Sequence, residues 1–250
     1  MEESSPHYIL VMSGKGGVGK STISSNLARA IAKQCGKCGI LDLDICGPSI
    51  PTIFGIPDAK IKATAENMMQ PQIVDNVEVM SLGFLYSSKE FAAIWRGPKK
   101  NAYISQLLHN VSWTSKIIVV DLPPGTSDEH LSLFSELKQA NAAISIIIVT
   151  TPSPLAITDV KKGISFLKSE NVQSSIKGIV ENFCGVICPC CGEISPLVEE
   201  FGVDQLSSDE NIPILSKIPF TPSAAQNFDK GEPNENFFVF FDPIVKAIFP

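Results

Sequence analysis

The chain has 250 residues, which is enough for one α/β domain with a well-buried core, so we expect a single domain over residues 1–250. Its formal net charge is -6 and no block of Lys and Arg offsets it, which argues against nucleic acid as a partner. No apolar run is long enough to span a bilayer, and the N-terminus is acidic where a leader sequence would be basic. We therefore expect no membrane association and a cytoplasmic location, with the nucleus as a further compartment.

A glycine-rich segment near the N-terminus has the pattern of a phosphate-binding loop. Residues 14–21 read GKGGVGKS, between an apolar run at 8–12 that predicts a strand and a helical pattern at 22–32. The glycines let backbone amides surround an anion, Lys20 supplies charge to the β- and γ-phosphates, and Ser21 offers its hydroxyl to Mg²⁺. The residues expected to contact ATP in this segment are Gly14, Lys15, Gly16, Gly17, Val18, Gly19, Lys20, Ser21 and Thr22.

Lys15 is a second lysine that the general phosphate-loop pattern does not require. Its charge could reach the phosphates bound by a neighbouring subunit. A solvated surface lysine is the alternative.

Two aspartates follow predicted strands. Residues 39–43 form a short apolar run, and Asp44 follows at the edge where open α/β sheets bind their ligands. Residues 116–120 predict a central strand that ends in Asp121, the position at which P-loop proteins hold Mg²⁺. We expect Asp44 to position the attacking water, with an ordinary capping aspartate as the alternative.

The loops after these strands contain glycine and proline. Residues 44–51 and 121–128 predict switch segments that respond to the γ-phosphate, although 44–51 also fits an ordinary strand-to-helix connection. Residues 95–98 predict a turn that opens a helix running to about His109. Arg96 precedes that helix, and a surface ion pair is favoured for it over contact with phosphate or a partner.

The remaining strand and helix signals alternate along the chain. Strands are predicted at 77–82, 143–150, 175–181 and 212–218, a helix at 155–167, a long loop at 219–233 and an aromatic helix at 237–249 interrupted at Pro243. Asn182 ends the strand at 175–181, where it could pair with a purine base or simply form a turn. This alternation predicts an α/β fold, a doubly wound and mostly parallel sheet with helices on both faces.

Four of the seven cysteines lie in a loop at residues 183–192. Cys188 and Cys191 form a C-x-x-C pair, which supplies two thiolates to one metal centre, and a symmetric dimer would supply four. A redox pair and a structural zinc loop are the alternatives. A metal role is not favoured for Cys35 and Cys38, and Cys46 is expected to be a packing residue. Cys184 and Cys190 could be ligands, transfer thiols or neighbours.

Several motifs in the same order resemble one known family. The phosphate loop resembles the deviant Walker A of MinD, the nitrogenase iron protein and Mrp. LDLDICGPSIPTIFG, WRGPKKN, VVDLPPGTSDEHLS, VTTPSPLAI and ENFCGVICPCCGE extend the resemblance to the Mrp-type iron–sulfur cluster carrier ATPases. WRGPKKN and GTSDEHLS look most like the larger eukaryotic cytosolic scaffold, which works with a shorter paralogue.

The resemblance implies a dimer, either of identical chains or with a paralogue, in which Lys15 acts in trans. It implies a 4Fe–4S cluster on Cys188 and Cys191 shared between subunits, slow ATP hydrolysis, and transfer of the cluster to apo-proteins. By matching positions, Asp44 activates water, Asp121 is the Walker B residue and Asn182 contacts adenine. The chain departs from the family at Cys184, where a serine is usual, at Cys190, and in lacking a four-cysteine N-terminal extension. The alternative is a MinD-like nucleotide-switched interaction protein with a structural zinc loop.

Overall fold

The computed structural model describes residues 5–44, 47–84, 97–188, 190–198 and 202–250. The predictions for Arg96 and Cys46 lie outside the described residues, as do two positions of the predicted switch segment 44–51.

The described strands are β1 (His7–Ser13), β2 (Cys38–Asp42), β3 (Lys62–Ala63), β4 (Met69–Gln70), β5 (Gln72–Val74), β6 (Val77–Ser81), β7 (Ile117–Asp121), β8 (Ile144–Thr150), β9 (Ile176–Ile187), β10 (Ile194–Pro196) and β11 (Ile214–Phe220). The described α-helices are α1 (Lys20–Cys35), α2 (Ile50–Ile53), α3 (Gly97–His109), α4 (Asp128–Gln139), α5 (Pro154–Ser169), α6 (Gly202–Glu210), α7 (Pro222–Asp229) and α8 (Asp242–Ile248). Short 3₁₀ turns occupy Leu82–Phe84, Gln173–Ser175 and Glu235–Phe240.

The main sheet is mostly parallel, as predicted. Its strand order is β10-β9-β8-β1-β7-β2-β6-β5, and β11 pairs with β9. Strand β1 lies between β7 and β8 and is parallel to both, whereas β5 and β10 are antiparallel additions. Because parallel neighbours end at the same edge, the carboxyl ends of β1, β2, β7 and β9 bring their following residues together.

Alternate residues of the central strands serve two cores, one on each face of the sheet. On β1, Ile9 and Val11 pack under α1, whereas Leu10 and Met12 belong to the core beneath α3, α4 and α5. In α1, Ile23, Leu27 and Ile31 recur at helical spacing and are fully buried. Helices therefore cover both faces, which leaves the carboxyl edge of the sheet as the place for a ligand.

Three details of the predicted elements are wrong. Strand β9 does not end near Asn182 but continues to Ile187. The predicted loop at 219–233 contains α7, which Pro222 opens at a first-turn position where proline is favourable. The predicted helix at 237–249 is a 3₁₀ turn followed by α8.

Candidate nucleotide-binding site and cysteine loop

The phosphate loop connects β1 to α1 and is held from both sides. Gly14 packs so closely on α5 that a Cβ there would lie 2.5 Å from the carbonyl carbon of Asp159. Gly19 is the N-cap of α1, and its φ of 83° is in the left-handed region that favours glycine. The amide groups at the start of α1 therefore face the space above the loop, where an anion binds.

Asp121, at the end of β7, accepts hydrogen bonds from three side chains of α1. Lys20 Nζ lies 2.9 Å from Asp121 Oδ1, Ser21 Oγ donates to Oδ2 at 2.6 Å, and Ser24 Oγ donates to Oδ1 at 2.6 Å. Asp121 is fully buried, so these donors offset the cost of burying its charge. The structure thus brings the predicted residues Lys20, Ser21 and Asp121 together, and it adds Ser24, which the motif alone did not indicate.

Asp42, at the end of β2, is a second buried carboxylate of the site that the sequence prediction missed. It accepts hydrogen bonds from Ser81 Oγ at 2.8 Å and from the Asp44 amide at 3.1 Å. Burial, together with the nearby charge of Asp121, raises the pKa of Asp42 to about 8. The predicted Asp44 lies two residues beyond the strand, with its Oδ2 3.8 Å from Lys20 Nζ and its side chain 16% exposed.

The segment after Asp121 is fixed at further points. The Gly125 amide donates to the Ser13 carbonyl at 2.8 Å, which ties the segment to the start of the phosphate loop. Ser127 caps α4, and its own amide donates to His130 Nδ1 at 3.2 Å in a capping box. His130 is fully buried, and this burial lowers its pKa to about 4.

Asn182 joins β9 to the phosphate loop. Its Nδ2 donates to the Val18 carbonyl at 2.9 Å. The side chain lies so close to the loop that a Cβ on Gly19 would be 2.2 Å from Nδ2. The sequence predicted that Asn182 either pairs with a purine base or forms a turn. In the structure, the Asn182 side chain contacts the phosphate loop directly.

A cavity of about 690 Å³ opens above the phosphate loop. The loop residues from Lys15 to Thr22, other than the buried Val18, form its floor, and Asp44, α2, Asn182 and the turn between β11 and α7 form its walls. Its volume lies within the range of pockets that bind small molecules and cofactors. Lys15 also lines this cavity, is partly exposed, and makes no ion pair with any described residue.

The cysteine loop is the tip of a hairpin. Strand β10 runs antiparallel to the end of β9, pairing Ile194 with Ile187, and the Gly192 amide donates to the Cys188 carbonyl at 2.9 Å. Cys188 is partly exposed and Cys191 is exposed. Hydrogen bonds from the Cys191 and Cys190 backbones lower the pKa of the Cys188 thiol, which favours the thiolate.

The other cysteines differ in their surroundings. Cys38 is buried in β2, and burial raises the pKa of its thiol. Cys35 ends α1, about 22 Å along the helix from Lys20. Within the ranges that the structure describes, no group of three or more His, Cys, Asp or Glu side chains is arranged to hold a metal ion. Over the same ranges, none of the helices has the length and apolarity needed to cross a membrane.

The strand–loop–helix unit, the buried Asp121 and the parallel sheet define a P-loop NTPase. The family model described as the NUBPL iron-transfer P-loop NTPase matches residues 4–244, and the chain belongs to that family. The resemblance to iron–sulfur carrier ATPases that the motifs indicated is therefore confirmed.

Among curated relatives, the chain is 42% identical over 230 residues to the cytosolic Fe-S cluster assembly factor NUBP1 homolog of Caenorhabditis elegans, covering 90% of this chain and 73% of the relative. It is 42% identical over 228 residues to the NUBP2 homolog of Monosiga brevicollis, covering 90% and 79%. The chain is therefore equally similar to the homologs of both names.

Two solved structures show how far the similarity extends. A nucleotide-binding protein from Archaeoglobus fulgidus in complex with ADP is 33% identical, with a TM-score of 0.78 over 94% of this chain and 91% of that protein. The septum site-determining protein MinD from Pyrococcus horikoshii, complexed with Mg-ADP, has a TM-score of 0.71 over 98% and 96% at 20% identity. The likeness to MinD extends to the fold alone.

Proposed function

We propose that this chain is a cytosolic ATPase, present also in the nucleus, that carries a labile 4Fe–4S cluster and transfers it to apo-proteins. The observation that carries the proposal is that one strand, β9, contacts the phosphate loop through Asn182 and leads directly into Cys188. ATP binding and cargo binding then share a structural element. The names of the relatives, cytosolic Fe-S cluster assembly factors, support the cargo and the compartment.

The nucleotide part of the proposal assigns ATP to the cavity above residues 14–22. The amides of the loop and Lys20 bind the phosphates. Asn182 Nδ2 donates to the Val18 carbonyl. Its Oδ1 can therefore accept a hydrogen bond from the amino group of adenine. Asp44, on the cavity wall, positions the attacking water, and slow hydrolysis is coupled to loading or transfer of the cluster, as the family resemblance implies.

The oxygen donors of the site fit Mg²⁺. Ser21 Oγ, at the start of α1, lies 2.6 Å from Oδ2 of Asp121, at the end of β7. Mg²⁺ prefers hard oxygen ligands of this kind. Ser21 would hold the ion directly and Asp121 would hold its water shell, and the ion would neutralise charge on the β- and γ-phosphates. Lys20 pairs with Asp121 in this structure. Once Mg²⁺ and its water shell took over Asp121, Lys20 would be released to bind phosphate.

The cargo part of the proposal requires two chains. Cys188 and Cys191 supply two thiolates, whereas a 4Fe–4S cluster needs four, so we assign the cluster to an interface between two copies or between this chain and a paralogue. Lys15, which is unpaired among the described residues, acts across the same interface on the partner's nucleotide. Residues 1–250 act as one domain, with 44–51 and 121–128 as switch segments.

Anaerobic reconstitution with iron and sulfide tests the cargo assignment. We expect the wild-type chain to bind about four irons per dimer with charge-transfer absorbance, and the variant Cys188→Ala/Cys191→Ala to bind none. Cys35→Ala, which removes an exposed cysteine far from the loop, is the matched control and should load normally. Equal loading of the wild type and the double variant, or zinc without charge-transfer absorbance in protein purified without oxygen, would overturn the cluster assignment.

A further inference from the structure

Two phenylalanines form an aromatic pair on the wall of the nucleotide cavity. The rings of Phe183 and Phe220 have centroids 5.8 Å apart and planes inclined at 66°. Both residues line the cavity beside Asn182. Phe220 keeps 40% of its surface exposed although it is a large apolar residue, and it lines the cavity.

The backbone on both strands is irregular where these rings arise. Phe183 has a φ of 58°, in the left-handed region that costs a bulky residue free energy and that glycine or asparagine occupies more readily. The pairing of β11 with β9 jumps from Ile218 opposite Asn182 to Phe220 opposite Val186. Without this irregularity the strict alternation of a strand would continue through both positions. Strained backbone of this kind concentrates at ligand sites.

The pair also reaches the phosphate loop. A Cβ placed on Gly19 would lie 3.6 Å from Phe183 Cζ, so the tip of that ring stands beside the last glycine of the loop. The same Cβ would lie 2.2 Å from Asn182 Nδ2, so both residues border this glycine. The cavity above the loop therefore extends from the phosphate loop to Asn182 and the two rings.

We propose that Phe183 and Phe220 form an aromatic corner that holds the base of the bound nucleotide and gives the site its preference for purines over pyrimidines. Inclined aromatic rings offer one face for stacking and one edge for contact with a π-system. A purine has the larger ring area and gains more from both surfaces than a pyrimidine does. Asn182 then distinguishes adenine from guanine, while the corner supplies affinity that depends on ring size. This inference rests on the proposed ATP site.

Titration calorimetry with ATP, CTP and inorganic triphosphate, each with Mg²⁺, tests the corner. For Phe183→Ala and Phe220→Ala we expect ATP affinity to fall by about tenfold, the usual effect of removing one stacking ring. The preference for ATP over CTP should narrow in both variants. Affinity for inorganic triphosphate, which has no base, should stay within about twofold of the wild type.

Two further variants separate the aromatic contact from other effects. Phe183→Leu keeps apolar bulk and should lose less ATP affinity than Phe183→Ala. Phe238→Ala removes a half-buried phenylalanine that stacks with Lys33 away from the cavity, and it should bind ATP normally. Unchanged ATP affinity in both alanine variants would overturn the inference, as would an equal loss for inorganic triphosphate. Failure of the wild type to bind ATP would instead overturn the proposed function.

Discussion

Asn182 and Cys188 are joined by a single strand. Asn182 donates to the phosphate loop, and Cys188 follows the last residue of β9, six positions later and at most about 20 Å away along an extended chain. Strand β9 pairs with β8 as far as Glu181 and with β11 from Ile179 to Val186. A displacement of the phosphate loop on nucleotide binding would therefore be carried to the cysteine hairpin through backbone rather than through a flexible connection.

The close approach of Gly19 to Asn182 makes Gly19→Ala a direct test of this link. The added Cβ would displace Asn182 Nδ2. The alanine would also have to adopt the left-handed backbone conformation of Gly19, which alone costs about 1–2 kcal/mol. We expect ATP affinity, measured by calorimetry, to fall at least about tenfold.

Gly163→Ala is the matched control because no atom lies within 4 Å of its added Cβ and the residue is in the interior of α5. It should leave ATP affinity unchanged and stabilise the protein by about 0.5–1 kcal/mol. Normal ATP binding by Gly19→Ala would contradict the contact between loop and strand.

Adjacent serines in α1 allow the role of Asp121 to be tested. Ser24 and Ser25 are both buried, and each hydroxyl lies within hydrogen-bond distance of a carbonyl four residues earlier, but only the Ser24 hydroxyl also reaches Asp121. Ser24→Ala leaves a buried carboxylate with one donor fewer. We expect it to lower the free energy of unfolding without nucleotide by about 1–3 kcal/mol and to weaken the Mg²⁺ dependence of ATP binding.

Ser25→Ala should cost less than about 1 kcal/mol and leave the Mg²⁺ dependence unchanged. Chemical denaturation and calorimetry at several Mg²⁺ concentrations measure both quantities. If the two variants behave alike, the Ser24 contact has no part in orienting Asp121.

The unpaired position of Lys15 leads to a third prediction. Because Lys20, not Lys15, pairs with Asp121, Lys15→Ala should leave nucleotide binding by the monomer within about threefold of wild type. ATP hydrolysis and nucleotide-dependent dimerisation should both be lost. Lys62→Ala, an exposed lysine on β3, is the control for loss of one surface charge. Loss of monomer binding in Lys15→Ala would show that the lysine serves its own nucleotide.

His130 gives the protein a calculable sensitivity to acid. Burial lowers its pKa in the folded state to about 4, below the ordinary value, so between about pH 6.5 and 4 the unfolded chain binds a proton that the folded chain does not. Lowering the pH from 7 to 4 should therefore remove about 3 kcal/mol of stability through this residue.

His130→Gln isolates that effect, since glutamine suits the third helical position of a capping box and does not titrate. Asp42 acts with the opposite sign, because its raised pKa favours the folded state at low pH and that contribution is lost as the pH rises through about 8. The wild type and the variant His130→Gln both retain Asp42. The difference between their free energies of unfolding at each pH therefore reports the effect of His130. An equal loss in both proteins on acidification would contradict the assignment.

The sequence was sufficient wherever local chemistry decides the outcome. The glycines and Lys20 of residues 14–21, the apolar run at 116–120 and the alternation of strands with helices predicted the strand–loop–helix unit, the buried strand that ends in Asp121 and the parallel sheet. These features need only near neighbours in the chain. The helix α4 at 128–139 was not predicted, because its apolar face, Leu133, Phe134 and Leu137, is one part of a largely polar segment.

Only the tertiary structure decided which distant groups meet. Asp42 and Ser24 became part of the site because the ends of β2 and β7 converge with the N-terminal part of α1, an arrangement that no single segment encodes. The course of β9 past Asn182, with Phe183 at a positive φ against Phe220, depends on β8, β10 and β11 lying alongside it. Residue pattern determined the phosphate loop and the cysteine pair. Long-range strand pairing determined that one strand connects them, because backbone hydrogen bonds between strands far apart in sequence form only in the folded chain.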